Sequence, residues 1–195
     1  MADLSVLTGG RAGDGINSAG LLVSHLLNRM GYFSYMYFDY PSLIKGGHNF
    51  TITRAADMPI GACRERIDIV LALNQDTINF HRDLMHDETV VVFDSGRATA
   101  DGQGVPVQDI LREEQAPAVM GNSCMIGAFS GVTGIPFTVV EEVFSRQIPR
   151  GLDKNIAVAR RGYDTVKQVH TIEPGAGEPL PLVSGNEAIG LGLLH

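Results

Sequence analysis

The first forty residues narrow the possible folds more than any other stretch of the chain. Residues 4–8, Leu-Ser-Val-Leu-Thr, read as a short buried strand. They run into Gly9-Gly10-Arg11-Ala12-Gly13-Asp14-Gly15. Beyond it Ile16, Ala19, Leu22, Val23, Leu26, Leu27 and Met30 recur at spacings of three and four, the period of a helix with one apolar face. Gly31 closes that helix, and residues 33–40 form a second strand. A strand, glycine turn, helix and strand in succession specify an α/β architecture. A turn with so little side-chain bulk also brings bare backbone N–H groups to a helix N-terminus, where an anion or another subunit's backbone can approach.

The rest of the chain continues the pattern. Residues 41–47, Pro-Ser-Leu-Ile-Lys-Gly-Gly, form a loop. Residues 48–55 alternate polar and apolar, as in a strand with one solvated or subunit-facing side. Residues 67–73 and 89–93 read as buried strands, the second with three consecutive valines, and residues 76–85 as a short helix between them. Residues 97–105 are expected to form a surface loop. Helical segments follow at 107–114, 122–132, 136–144 and 152–169, and Glu, Pro and Gly dominate residues 171–185. The expected fold is a three-layer, mostly parallel Rossmann-like sheet with helices on both faces, spanning residues 1–170. A linker at 171–184 and the start of a second domain at 185–195 complete the expectation.

Charge excludes some partners. The formal net charge of −7 argues against nucleic-acid binding and against docking on an anionic membrane. No signal peptide precedes the first strand, and no apolar run is long enough to span a bilayer, so a cytoplasmic location is expected. Cys63 and Cys124 match no metal spacing, and the six histidines form no ligand set. No metal site is expected in this chain.

The glycine turn admits several readings. A dinucleotide fingerprint would use Gly13 and Gly15, but Ser18 stands where its third glycine belongs. Asp39 lies at the end of the second strand, where a ribose-binding acid would sit, so a stand-alone NAD-binding oxidoreductase domain is one alternative. The Lys-Ser/Thr of a P-loop is absent. Gly13-Asp14-Gly15 spells the opening of a thiamine-diphosphate signature without the Asn that completes it. A purely structural interaction module is the remaining alternative. Lys45 before Gly46-Gly47 places a cation on a loop at the same sheet end as the turn, the end where ligands of open α/β sheets bind.

Residues 10–15, the loop from Tyr40-Pro41 to Lys45-Gly46-Gly47, Ala72-Leu73-Asn74, Asn122 and Asn155 together resemble the gamma domain of 2-oxoacid:ferredoxin (acceptor) oxidoreductases of the pyruvate/2-oxoglutarate type. Residues 185–192 resemble the start of the alpha subunit in enzymes where gamma and alpha are fused. One departure is Ala12, where the family usually carries glycine. The resemblance implies a subunit of an enzyme that oxidatively decarboxylates a 2-oxoacid to an acyl-CoA. The chain itself would hold no catalytic residue and be inactive alone. Gly10, Arg11, Gly13, Gly15, Ser42, Lys45, Gly46 and Gly47 would form a subunit-facing rim able to meet coenzyme A. Thiamine diphosphate, Mg and iron–sulfur clusters would belong to partner chains. The implied partners are the alpha and beta subunits, with ferredoxin reached through the complex, and a homodimer is compatible with the same reading.

Overall fold

The computed structural model describes residues 3–40 and 47–194. Six strands form one sheet: β1 Asp3–Arg11, β2 Phe33–Asp39, β3 His48–Ala56, β4 Ile69–Ala72, β5 Val90–Asp94 and β6 Gln103–Val105. The helices are α1 Ile16–Arg29, α2 Gln75–Phe80, α3 Val107–Glu113, α4 Gly121–Thr133, α5 Phe137–Gln147, α6 Leu152–Thr165 and α7 Gly185–Leu193. The strand order is β2-β3-β1-β4-β5-β6. β1, β4, β5 and β6 pair in parallel, and β3 is antiparallel to both of its neighbours. Five strands therefore point the same way, which is the mostly parallel α/β sheet expected.

The two faces are unequal. On one, Val6, Ile69, Leu71 and Val92 pack under α1 and α4, with α5 and α6 laid outside those helices. On the other, Leu7, Val70 and Ala72 meet Ile78 of α2 and, at its edge, Leu84 of a single 3-10 turn, Arg82–Leu84. The helical layer on that second face is thin, and it leaves Tyr35 and Tyr37 of β2 exposed.

Every residue of α4 is buried. It lies so close to α6 that a Cβ on Gly127 would strike the Ala159 carbonyl, and one on Gly162 the Cys124 carbonyl. Two helices approach at backbone distance only where both present glycine at the crossing.

Several local expectations change. β1 does not stop at Thr8: Gly9 and Gly10 continue it, opposite Phe50 and Asn49 of β3. They are glycine because the strand is crowded. A Cβ on Gly9 would lie 2.6 Å from Thr77, and one on Gly10 2.7 Å from Ile16. The helix read over 76–85 breaks at His81, whose φ of −112° leaves the helical region. Residues 103–105, read as loop, add a three-residue strand too short for periodicity to reveal.

Residues 171–177 turn back on the connection between α1 and β2. The Tyr32 hydroxyl donates to the Glu173 carbonyl at 2.6 Å, and Gly175 N–H donates to the Met30 carbonyl at 2.7 Å. α7 begins with a Ser184–Glu187 capping box and buries no residue, leaving Leu193 82% exposed.

Candidate functional site

The site is built at the carboxyl end of β1, β4 and β5. β1 leads into a turn at residues 12–15. Arg11 N–H donates to the Asp14 carboxylate at 3.0 Å, and Asp14 N–H returns to the Arg11 carbonyl at 3.0 Å. Gly13 has φ +97° and Gly15, the N-cap of α1, has φ +73°. Gly13 is there for its backbone angle alone, since a Cβ at that point would touch nothing within 4 Å. Ala12 has no positive φ, so its methyl group is accommodated. Its N–H donates to the Gly47 carbonyl at 3.0 Å, which brings the end of the β2–β3 loop onto the turn.

Two long-range anchors hold the turn. The Asn122 amide, from the first turn of α4, donates to the carbonyls of Asp14 at 2.7 Å and Gly15 at 3.2 Å. Arg97 lies 3.5 Å from Asp14 and 3.6 Å from Asp94, tying the turn to the end of β5. Asp94 is buried, and burial raises its carboxyl above the usual range. Its carboxylate accepts the Gly96 N–H at 3.0 Å.

Beside the turn a cleft of about 360 Å³ opens between Arg11, Asp14, Asn74, Asp76, Gly96 and Arg97. Asn74 caps α2 through its side-chain oxygen, which accepts from the Thr77 N–H and hydroxyl. Its amide nitrogen is buried and has no partner among the described residues. A buried donor left over at a cleft wall suits an acceptor brought by a ligand. Two guanidinium groups and this amide offer donors to a ligand's acceptor atoms, alongside the Asp14 and Asp76 carboxylates of the same wall.

The sequence model of the pyruvate ferredoxin/flavodoxin oxidoreductase family matches residues 5–165. The chain belongs to this family. Among curated relatives, pyruvate synthase subunit PorC of Methanothermobacter marburgensis is 26% identical over 173 residues, covering 81% of this chain and 94% of that protein. The 2-oxoacid:ferredoxin oxidoreductase subunit alpha of a Sulfolobus species is 31% identical over 78 residues, which are 40% of this chain and 12% of the subunit.

Among solved structures, the 2-oxoglutarate:ferredoxin oxidoreductase of Magnetococcus marinus, with 2-oxoglutarate, coenzyme A and succinyl-CoA bound, superposes with a TM-score of 0.86 at 22% identity. It covers 100% of this chain, which spans 37% of that one. The keto/oxoacid ferredoxin oxidoreductase gamma subunit of Geobacter sulfurreducens gives a TM-score of 0.73 at 17% identity, covering 85% of this chain and 97% of that subunit. These structures share the fold.

Of the residues named from the sequence, Gly10 and Arg11 end β1, Gly13 and Gly15 lie in the turn, and the Gly47 carbonyl meets the turn at Ala12. Ser42, Lys45 and Gly46 lie outside the described residues. Asn74, Asp94 and Arg97 join the site without having been singled out as site residues. The orphan amide of Asn74 is visible only once its strand is placed.

The dinucleotide alternative loses its geometry. β3 is inserted between β1 and β2, so Asp39 stands two strands from the glycine turn, about 10 Å away in the pairing direction. Its carboxylate instead accepts the Tyr37 hydroxyl at 2.8 Å.

A second cluster lies on the thinly covered face. His48 of β3 and His81 bring their Nε2 atoms to 2.8 Å, among Phe50 and Phe80. Burial and the neighbouring His48 push His81 down from 6.5 to about 4, and burial also lowers His48. One ring donates and the other accepts, so the pair needs at least one neutral imidazole. Because His81 titrates lower in the folded chain, the unfolded chain binds protons first as pH falls. Its contribution is unchanged above about pH 6.5 and is lost progressively toward about pH 4. His81→Phe is expected to remove about 2 kcal/mol of that acid-induced loss. Urea midpoints of wild type and variant, compared at about pH 7 and about pH 4.5, measure the difference.

Proposed function

We propose that this chain is the gamma portion of a 2-oxoacid:ferredoxin oxidoreductase and that its glycine-turn rim receives the phosphates of coenzyme A. The observation that carries this reading is the convergence, in a chain of this family, of Arg11, Arg97 and the unpartnered Asn74 amide on one cleft beside the glycine turn. Arg11 and Arg97 supply charge, and Gly13 leaves the turn's backbone open to close approach. Gly47 meets the turn through Ala12, and the sequence puts Lys45, a further cation, two residues before it.

The decarboxylation belongs to partner chains of alpha and beta type, which hold thiamine diphosphate with Mg and the iron–sulfur clusters. They pass electrons to ferredoxin in the cytoplasm. This chain's thiols suit no such role: Cys124 is buried and pushed up to about 12, and burial raises Cys63 as well. No described helix is long and apolar enough to cross a membrane. α7, with Ile189, Leu191 and Leu193 uncovered, serves as the first helix of an alpha-type domain that follows the linker.

The test uses the assembled enzyme. Arg11→Ala is expected to raise the KM for coenzyme A about tenfold, the loss of one charge-assisted hydrogen bond, and to leave the KM for the 2-oxoacid unchanged. Lys45→Ala probes the loop in the same way. If neither variant changes the coenzyme A KM, the rim does not bind it. A loss of assembly with unaltered coenzyme A kinetics would make the rim architectural.

A further inference from the structure

β2 is a long open edge of the sheet. It pairs with β3 over all seven of its residues in one uninterrupted register, and its other side has no strand partner among the described residues. Folded proteins blunt such edges with proline, lysine, bulges or short strands. The opposite edge obeys this, since β6 has three residues. β2, Phe-Ser-Tyr-Met-Tyr-Phe-Asp, carries none of these devices. Its Ser34 hydroxyl donates to the Ser24 carbonyl of α1, which places Ser34, Met36 and Phe38 on the helix side. Tyr35 and Tyr37 stand on the opposite face, 37% and 44% exposed.

We propose that β2 pairs antiparallel with β2 of a second copy of this chain, about a twofold axis at Met36, joining two sheets into one. The strand is complementary to itself about that residue. The dyad sets Tyr35 opposite Tyr37 of the other copy, twice, and aromatic pairs across antiparallel strands are favourable. It sets Phe33 opposite Asp39, the strand's only charge, and keeps the two Asp39 carboxylates about 20 Å apart. No like charges meet along the seam, and α1 of each copy lies on the same side of the joined sheet. An isologous contact of this kind closes after two copies.

Sedimentation velocity on the full chain at tens of micromolar is expected to show a dimer. Tyr35→Lys with Tyr37→Lys places lysine opposite lysine twice and should give a monomer with an unchanged circular-dichroism spectrum. Tyr35→Lys with Tyr37→Glu places each lysine opposite a glutamate and should restore the dimer. If the charged variants fail to fold, Met36→Cys provides the second measurement: under mild oxidation it should link to its own copy, the two thiols meeting on the dyad. A monomeric wild type, a dimer that survives Tyr35→Lys with Tyr37→Lys, no rescue by the lysine–glutamate pair, or no cross-link at position 36 would each overturn the proposal. A wild-type monomer that dimerises only with another subunit would assign the edge to that subunit.

Discussion

Gly127→Ala is expected to destabilise the chain by about 4 kcal/mol, a large share of the roughly 5–15 kcal/mol that holds an ordinary domain folded. The methyl group would be driven into the backbone carbonyl of Ala159, not into a side chain that could rotate away. α4 cannot retreat, because every one of its residues is buried between the sheet and α6. Gly162→Ala meets the Cys124 carbonyl in the same way from the other helix. The cost should therefore appear in either variant and should not double when both are combined, since one separation of the helices relieves both collisions. Urea denaturation followed by circular dichroism measures it. A loss below about 1 kcal/mol would mean that α4 and α6 are not in backbone contact. Gly185→Ala is the control, because a Cβ there meets nothing and its helix is exposed.

Asn122→Asp is expected to cost about 3 kcal/mol at neutral pH. The amide donates to two carbonyls of the glycine turn, and a carboxylate of the same shape can donate to neither. It would place a buried negative charge against two carbonyl oxygens. A protonated carboxyl regains one donor, so the penalty should shrink as pH falls, opposite in sign to the His81 effect. In the assembled enzyme the same variant should raise the coenzyme A KM, because the turn loses the tether that orients its N–H groups. Stability of the variant equal to wild type at neutral pH would show that α4 does not anchor the turn.

Much of the fold was readable before any coordinates. The apolar period from Ile16 to Met30, the glycine turn before it and Gly31 after it describe a helix between two strands, because helix, turn and cap are each set within a few residues. The meeting of the glycine turn with Gly47 was readable for the same reason: the turn follows β1 and Gly47 precedes β3 at one end of the sheet. Three features were not. Gly9 and Gly10 looked like turn and are strand, because what demands glycine there is Thr77 and Ile16, reached only through the fold. β6 is too short to show a period. The His48–His81 pair joins residues 33 apart that share no local pattern.

The chain's own order of apolar, glycine and polar residues determined its elements, their class and the motifs that mark its family. Those depend on neighbours within a turn or two, where sterics and backbone hydrogen bonding act. Which strand lies beside which, and how near two helices can come, depends on contacts between distant segments. That is why only the tertiary structure decided that β3 separates β1 from β2 and moves Asp39 away from the turn. It likewise decided that Gly127 and Gly162 seat α4 on α6, and that Asn122 and Arg97 reach across to hold a glycine turn about a hundred residues upstream.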